Sequence, residues 1–203
     1  EGGFYLAFND FNPVSGKKEI RVQRYDRDLN EMWIPGGVFT GLTDPEYDRP
    51  KLFACKDGSL FFIAHTKWTN KEKKEAIIQI YNQHGVRSDD SSTSGIHIWR
   101  NIDYIKTCEA GDNGMWFVNP EYSRWKRSLT YNHLKSDGNI LFNEHRILDL
   151  TRYIDKYDDL KSVRIVPIYN GGFVVISSNL VIYTTRDGNQ KWSMEDCVLD
   201  TSL

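Results

Sequence analysis

The chain has 203 residues, 39% of them hydrophobic and 13% aromatic, which excludes a disordered segment and supplies enough apolar surface for a sizeable core. Its formal net charge of −2 and pI near 6.2 give no whole-molecule attraction to nucleic acid, and neither nucleic acid nor membrane insertion is expected. No apolar run approaches the roughly 20 residues that span a bilayer.

Reading from the N-terminus, Gly2-Gly3-Phe4-Tyr5-Leu6-Ala7 is a glycine turn that launches a short apolar strand. A loop follows, then the alternating strand Ile20 to Tyr25, the polar turn Asp26 to Asn30 and a tryptophan, Trp33. The segment from Trp33 to Arg49, with Pro35, Gly36-Gly37, Pro45 and Tyr47, reads as a long connection. The sequence then repeats itself. Gly58-Ser59-Leu60-Phe61-Phe62-Ile63 launches again, with a second strand at Ile77 to Tyr81 and a turn at Asn82 to Gly85. Asn113-Gly114-Met115-Trp116-Phe117-Val118 is the third launch, followed by Leu129 to Leu134, the turn Lys135 to Asn139, and Phe142 where the first unit has Trp33. Leu150, Tyr153, Ile154 and Tyr157 then fall at helical spacing and predict a short amphipathic helix inserted at about Asp149 to Leu160. The fourth launch is Gly171-Gly172-Phe173-Val174-Val175-Ile176, with Leu180 to Tyr183, the turn Arg186 to Asn189, Trp192, and an outer strand expected within Ser193 to Leu203.

The launches recur about every 55 residues. Period-two alternation with β-branched and aromatic residues marks the strands, and Asp-Gly and Asn pairs mark tight hairpins. Four antiparallel strands per repeat predict an all-β fold, the β-propeller, as part of a larger ring. A solenoid is the rival architecture. The predicted blades are 1–48, 49–101, 102–160 and 161–203 of a single propeller segment, the first incomplete because it lacks its innermost strand. The chain begins at Glu1 inside a repeat, which points to a processed product or a piece of a longer chain. A second chain completing the ring is one expected partner.

The recurring Gly-Gly-aromatic strand, second strand, Asp-Gly-Asn turn and tryptophan resemble the blades of pyrroloquinoline-quinone-type and related bacterial surface propellers. That resemblance implies a propeller outside the cytoplasm: cell surface, periplasmic or secreted. It does not extend to a quinone site, and no cofactor is expected. The second unit departs from the pattern, with Val86-Arg87 where tryptophan belongs, and the strict sialidase Asp-box fails because Asp187 and Gly188 are adjacent.

In a four-strand blade the loop between the second and third strands shares one end with the blade-to-blade loop. At that end the chain concentrates cations and aromatics: Lys67, Trp68, Lys71, Lys73, Lys74, Tyr122, Arg124, Trp125, Lys126 and Arg127, with Phe11, Lys17 and Lys18 in the first loop. Lys and Arg pair with carboxylate or phosphate while an aromatic face stacks on sugar, so this loop face is the candidate binding surface for a protein or an anionic glycan. The alternative is that charged loops only keep the fold soluble.

Catalytic signals are sparse. The Asp26-Arg27-Asp28-Leu29-Asn30 turn imitates the opening of a calcium loop, but Glu31 replaces its glycine. His65, His84, His97, His133 and His145 show no metal-binding spacing, and no metal is expected. Cys55, Cys108 and Cys197 form no C-x-x-C pair, and the first two, just before launch turns, read as small buried hydrophobes. Glu19, Glu75, Glu109 and Asp112 are acids that a propeller glycosidase could bring together, although their spacing is uninformative. The leading expectation is a non-catalytic binding or scaffolding propeller, and the alternative is a carbohydrate-active enzyme with acids near the ring axis.

Overall fold

The computed structural model describes residues 2–44, 47–66, 75–89, 95–100, 105–122, 126–142, 146–152, 154, 162–168, 171–177 and 180–195. They form fifteen strands in four antiparallel sheets. The first sheet holds β1 (Gly3–Asn12), β2 (Lys17–Asp26) and β3 (Val38–Asp44). The second holds β4 (Tyr47–Ala54), β5 (Leu60–Thr66), β6 (Glu75–Tyr81) and β7 (Ile96–Arg100). The third holds β8 (Lys106–Glu109), β9 (Met115–Tyr122), β10 (Arg127–Leu134) and β11 (Arg146–Asp149). The fourth holds β12 (Arg164–Pro167), β13 (Phe173–Ser177), β14 (Leu180–Thr184) and β15 (Gln190–Glu195). In every sheet the strands lie side by side in chain order, the up-and-down meander of a propeller blade. The fold is a β-propeller built of four-stranded blades, and among the described residues the first sheet has three strands.

The chain divides into two compact units, residues 1–102 with 136–138, and residues 103–135 with 139–203. Each contains two sheets packed face to face. In the first unit Ile20 and Val22 of β2 meet Leu60, Phe62 and Ala64 of β5. In the second, Trp116 and Val118 of β9 meet Phe173 and Val175 of β13.

The launch turns are one structure used repeatedly. Cys55 N–H donates to Ser59 O, Ala110 N–H to Gly114 O and Ile168 N–H to Gly172 O, at 2.8, 3.0 and 3.1 Å. The position before the last takes a left-handed backbone, at Gly58, Asn113 and Gly171. The glycine that follows is demanded by a close approach. A Cβ on Gly3, Gly114 or Gly172 would stand 2.5, 2.8 or 2.1 Å from the carbonyl oxygen of Tyr25, Leu134 or Thr184 on the neighbouring strand. The hairpins between third and fourth strands also share one geometry, with a left-handed residue at Leu29, Gly85, Gly138 and Gly188.

Aromatic side chains tie each sheet to the turns of the next within a unit. Tyr5 Oη donates to Gly58 O at 2.8 Å, and Trp116 Nε1, at the same strand position, donates to Gly171 O at 2.7 Å. Trp33 Nε1 donates to Gln83 O at 3.1 Å, and Tyr131 Oη to Gly188 O at 2.6 Å. Trp33 and Phe142 also close over hairpin glycines, since a Cβ on Gly85 or Gly188 would lie 2.7 Å from the ring of Trp33 or Phe142.

Two details differ from the sequence reading. The segment from Trp33 to Arg49 is mostly strand, β3 and the start of β4, and its Gly36-Gly37 turn sits beside the hairpin turns, opposite the loop-rich end. The outer strand of the fourth sheet is Gln190–Glu195, so Trp192 lies within it rather than before it. Of the predicted helix, Leu150 and Ile154 are buried in the second unit's core and Ile154 N–H donates to Leu150 O at 3.0 Å, but 153 and 155–161 lie outside the described residues. Where the second unit of the repeat lacks tryptophan, Arg87 pairs with Asp89, whose Oδ1 also accepts from Ile80 N–H at 2.9 Å.

Candidate functional site

Of the ten residues singled out on the loop face, Lys67, Trp68, Lys71, Lys73, Lys74, Arg124 and Trp125 lie outside the described residues. Tyr122, Lys126 and Arg127 are brought together where β9 turns into β10. Tyr122 and Arg127 are direct cross-strand partners, and the guanidinium sits 5.6 Å above the tyrosine ring, a cation–π pair. The main chain there is anchored. Arg127 N–H donates to Thr151 Oγ1 at 3.1 Å, and Arg127 O accepts from Leu150 N–H at 2.8 Å. Thr151 also donates to Asp149, which with Lys126 and Arg152 nearby holds that carboxyl below its ordinary range.

The loop end of the first sheet is equally well held. Asn12 Oδ1 accepts from the N–H groups of Val14 and Ser15 at 2.9 and 3.2 Å, and its amide donates to the buried carboxylate of Glu19. Arg21 pairs with Asp10 at 3.1 Å and Glu19 at 3.4 Å. This leaves Lys17 and Lys18 exposed on a rigid hairpin beside Phe11.

The candidate acids divide between the two units, Glu19 and Glu75 in the first and Glu109 and Asp112 in the second. Glu19 is spent in that network. Glu109 lies at the turn end, paired in register with Met115. Asp112, also at the turn end, lies 3.1 Å from Nε2 of buried His133 and accepts from Arg186 at 3.2 Å. The side chain of Glu75 lies outside the described residues. Burial lowers the pKa of His133, while Asp112 pulls it upward. Burial pushes the Cys108 thiol up to about 12, as suits a small hydrophobe. Among the described residues no three His, Cys, Asp or Glu side chains are grouped as metal ligands, and no helix is long and apolar enough to cross a membrane.

One pattern escaped the sequence reading. Each of the three inner strands carries a cation at the same register position, four residues into the ladder from the turn. Lys51 lies opposite Ile63, Lys106 opposite Val118 and Arg164 opposite Ile176. Lys51 and Arg164 are exposed and Lys106 is half-buried. A second pattern is structural. Gln23, Gln79 and Asn132 occupy one repeat position on the third strands, all buried, and Gln23 and Asn132 hold the chain at Trp33 and Phe142 through their amides.

The meander, the repeated turns and the inter-sheet aromatic ties define the class as β-propeller. No protein-family model and no curated protein matches the chain. Among solved structures it is similar to an α-L-arabinanase of Penicillium chrysogenum complexed with arabinobiose, with 13% identity and a TM-score of 0.46 over 94% of this chain and 58% of that one. It is also similar to the GH93 α-L-arabinofuranosidase of Fusarium graminearum with arabinobiose, at 13% identity and TM-score 0.45, covering 96% and 59%. The endo-arabinase of Bacteroides thetaiotaomicron gives 13%, 0.43, 98% and 73%. The chain spans 58% and 59% of the length of the first two, and a likeness of this size concerns fold alone. The narrower resemblance to pyrroloquinoline-quinone-type blades has no counterpart among these structures.

Proposed function

We propose that the chain is a carbohydrate-directed propeller segment that engages an acidic polysaccharide at its loop-rich end. The observation that carries this reading is the cation at one register position of every inner strand: Lys51, Lys106 and Arg164. Each lies toward the loop end, where carboxylate or sulfate groups of a polymer can meet an ammonium or guanidinium. Tyr122, held by Arg127, supplies an aromatic face for a sugar ring in the second unit, whose loop also carries Arg124, Trp125 and Lys126, and the loop with Lys67, Trp68, Lys71, Lys73 and Lys74 is proposed to add cations at the loop end of the first unit. The reading places the protein outside the cytoplasm, as part of a larger ring.

The test is affinity electrophoresis in gels containing polygalacturonate or neutral arabinan. The acidic polymer retards the chain, the neutral one does not, and added salt weakens the effect. Replacing Lys51, Lys106 and Arg164 together by glutamine weakens binding about tenfold, given roughly 0.5 kcal/mol for each exposed charge pair. Equal retardation in neutral arabinan, or no change in the triple variant, overturns the anionic assignment. Release of reducing ends in the same material, lost on replacing one carboxylate, selects the hydrolytic alternative.

A further inference from the structure

We infer that the third sheet holds a calcium ion at its loop end, in a site built by the side chains of Asn119 and Glu121 on β9 and of Ser128 and Thr130 on β10. The inference stands apart from the polysaccharide reading and uses other side chains. Side chains alternate along a strand, so the register fixes which of them share a face. Trp116 and Val118 of β9 lie with Leu129 and Tyr131 of β10 in the second unit's core. The opposite face carries Asn119 directly across from Thr130, and Glu121 directly across from Ser128. Diagonal neighbours in such a ladder stand roughly 7–8 Å apart, close enough for one ion to reach all four.

Two of these groups lack what burial demands. Asn119 is 2% and Ser128 0% exposed, yet among the described residues neither Asn119 Oδ1 nor Ser128 Oγ has a hydrogen-bond partner. A buried polar atom left unpaired costs about 1–3 kcal/mol, so two on one face call for a bound group. Glu121 shows where that group lies. Its carboxylate reaches past its register partner to accept from Thr130 Oγ1 at 2.9 Å, and the same hydroxyl is 3.3 Å from Asn119 O. That bond runs along one diagonal of the four-residue square, and the other diagonal joins Asn119 to Ser128. The negative charge is therefore drawn across the two unpaired oxygens.

The donors name the guest. One carboxylate, one amide oxygen and two hydroxyls are hard oxygen ligands, and a charge turned inward over neutral oxygens favours a cation over water. Calcium accepts such a mixed, irregular set, whereas magnesium demands a near-ideal octahedron and gives up its waters reluctantly. Glu121 is exposed and forms the open side, where water completes the coordination. With a single carboxylate the affinity falls in the weak class, a Kd of about 0.1–1 mM. Asp149 lies across from Ser128 on its other side, but it already accepts from Thr151 N–H at 2.9 Å with Lys126 and Arg152 nearby, and is not counted as a ligand. The set holds one acid and no His or Cys, so no metal-binding spacing announces it in the sequence.

The experiment is calorimetric titration of calcium chloride alone into the whole 203-residue chain, stripped with EDTA, with thermal unfolding in parallel. One saturable site is expected, and calcium at ten times its Kd raises the midpoint by about 4 °C, magnesium by less than about 1 °C. Glu121→Gln, which keeps an acceptor for Thr130, weakens calcium binding about tenfold or more. Ser128→Ala separates an ion from a purely structural role. In EDTA it is as stable as the wild type, because its hydroxyl has no partner to lose, while in calcium it forfeits part of the gain. Absence of saturable heat, an equal shift with magnesium, or unchanged calcium affinity in Glu121→Gln overturns the inference. So does a loss in Ser128→Ala that is equal with and without calcium, which assigns the site to a buried water.

Discussion

β1 and β9 begin alike and end differently. Both begin at or just after a glycine that cannot carry a Cβ, and both put an aromatic two residues beyond that glycine, Tyr5 or Trp116, whose polar hydrogen goes to a launch-turn carbonyl of the next sheet. Both even stack a basic ring or guanidinium on that aromatic: Arg24 lies 5.7 Å over Tyr5, and His133 stacks on Trp116 at 4.9 Å. Yet β9 is buried over its first five residues and β1 is not. The difference teaches that the launch encodes local geometry, whereas burial comes from neighbours remote in sequence.

The strongest way to break the comparison is to remove the side chains themselves. Trp116→Ala should cost about 4 kcal/mol, from lost burial, a cavity and the orphaned Gly171 carbonyl, while Phe4→Ala on the exposed face of β1 should cost less than about 1 kcal/mol. Urea unfolding midpoints check both, and equal losses would mean that β1 is covered in solution.

Acid separates the two stacks next. Of the two stacked groups, His133 has its pKa lowered chiefly by burial, with Asp112 opposing and Lys135 and Arg186 reinforcing. Above about pH 6.5 the imidazole is neutral in both folded and unfolded chains. As pH falls from there toward the lower folded value, the unfolded chain takes up the proton first, so stability drops with falling pH. Urea titrations at pH 7.5 and 5.5 should show this slope in the wild type and a smaller one in His133→Gln. An unchanged slope would place the acid sensitivity elsewhere.

The smallest effect sharpens the comparison in the hairpins. Leu29 holds φ 67° in the first sheet where the third has Gly138 at φ 88°. Leu29→Gly should raise stability by about 0.5 kcal/mol, the relief of a left-handed leucine exceeding the added freedom of the unfolded chain. Thermal unfolding checks it, and a loss would mean that the exposed Leu29 side chain contributes contacts of its own.

The turns were legible because each is specified within a few residues: Gly58-Ser59 or Asp187-Gly188 declares its backbone by itself. The aromatics at Trp33 and Phe142 were placed correctly but not explained, because what they cover, Gly85 and Gly188, lies a repeat away. The inner cations Lys51, Lys106 and Arg164 went unnoticed since they align only through strand register. The loop-face residues could be chosen by composition, but a loop's composition does not place its side chains. Only Tyr122, Lys126 and Arg127 among them have a described geometry, one set by Thr151 and Leu150, more than twenty positions along the chain.

The seating of Trp33 over Gly85, and of Phe142 over Gly188, also bears on how such a chain can change over generations. A turn glycine in one repeat is confined by an aromatic inherited with the repeat before it. Duplication or exchange of a single repeat therefore brings together a ring and a turn that never shared a history. Segments cut between the third and fourth strands, just after each hairpin glycine and before the aromatic that follows it, carry each aromatic along with the turn it covers and should recombine more freely than whole blades.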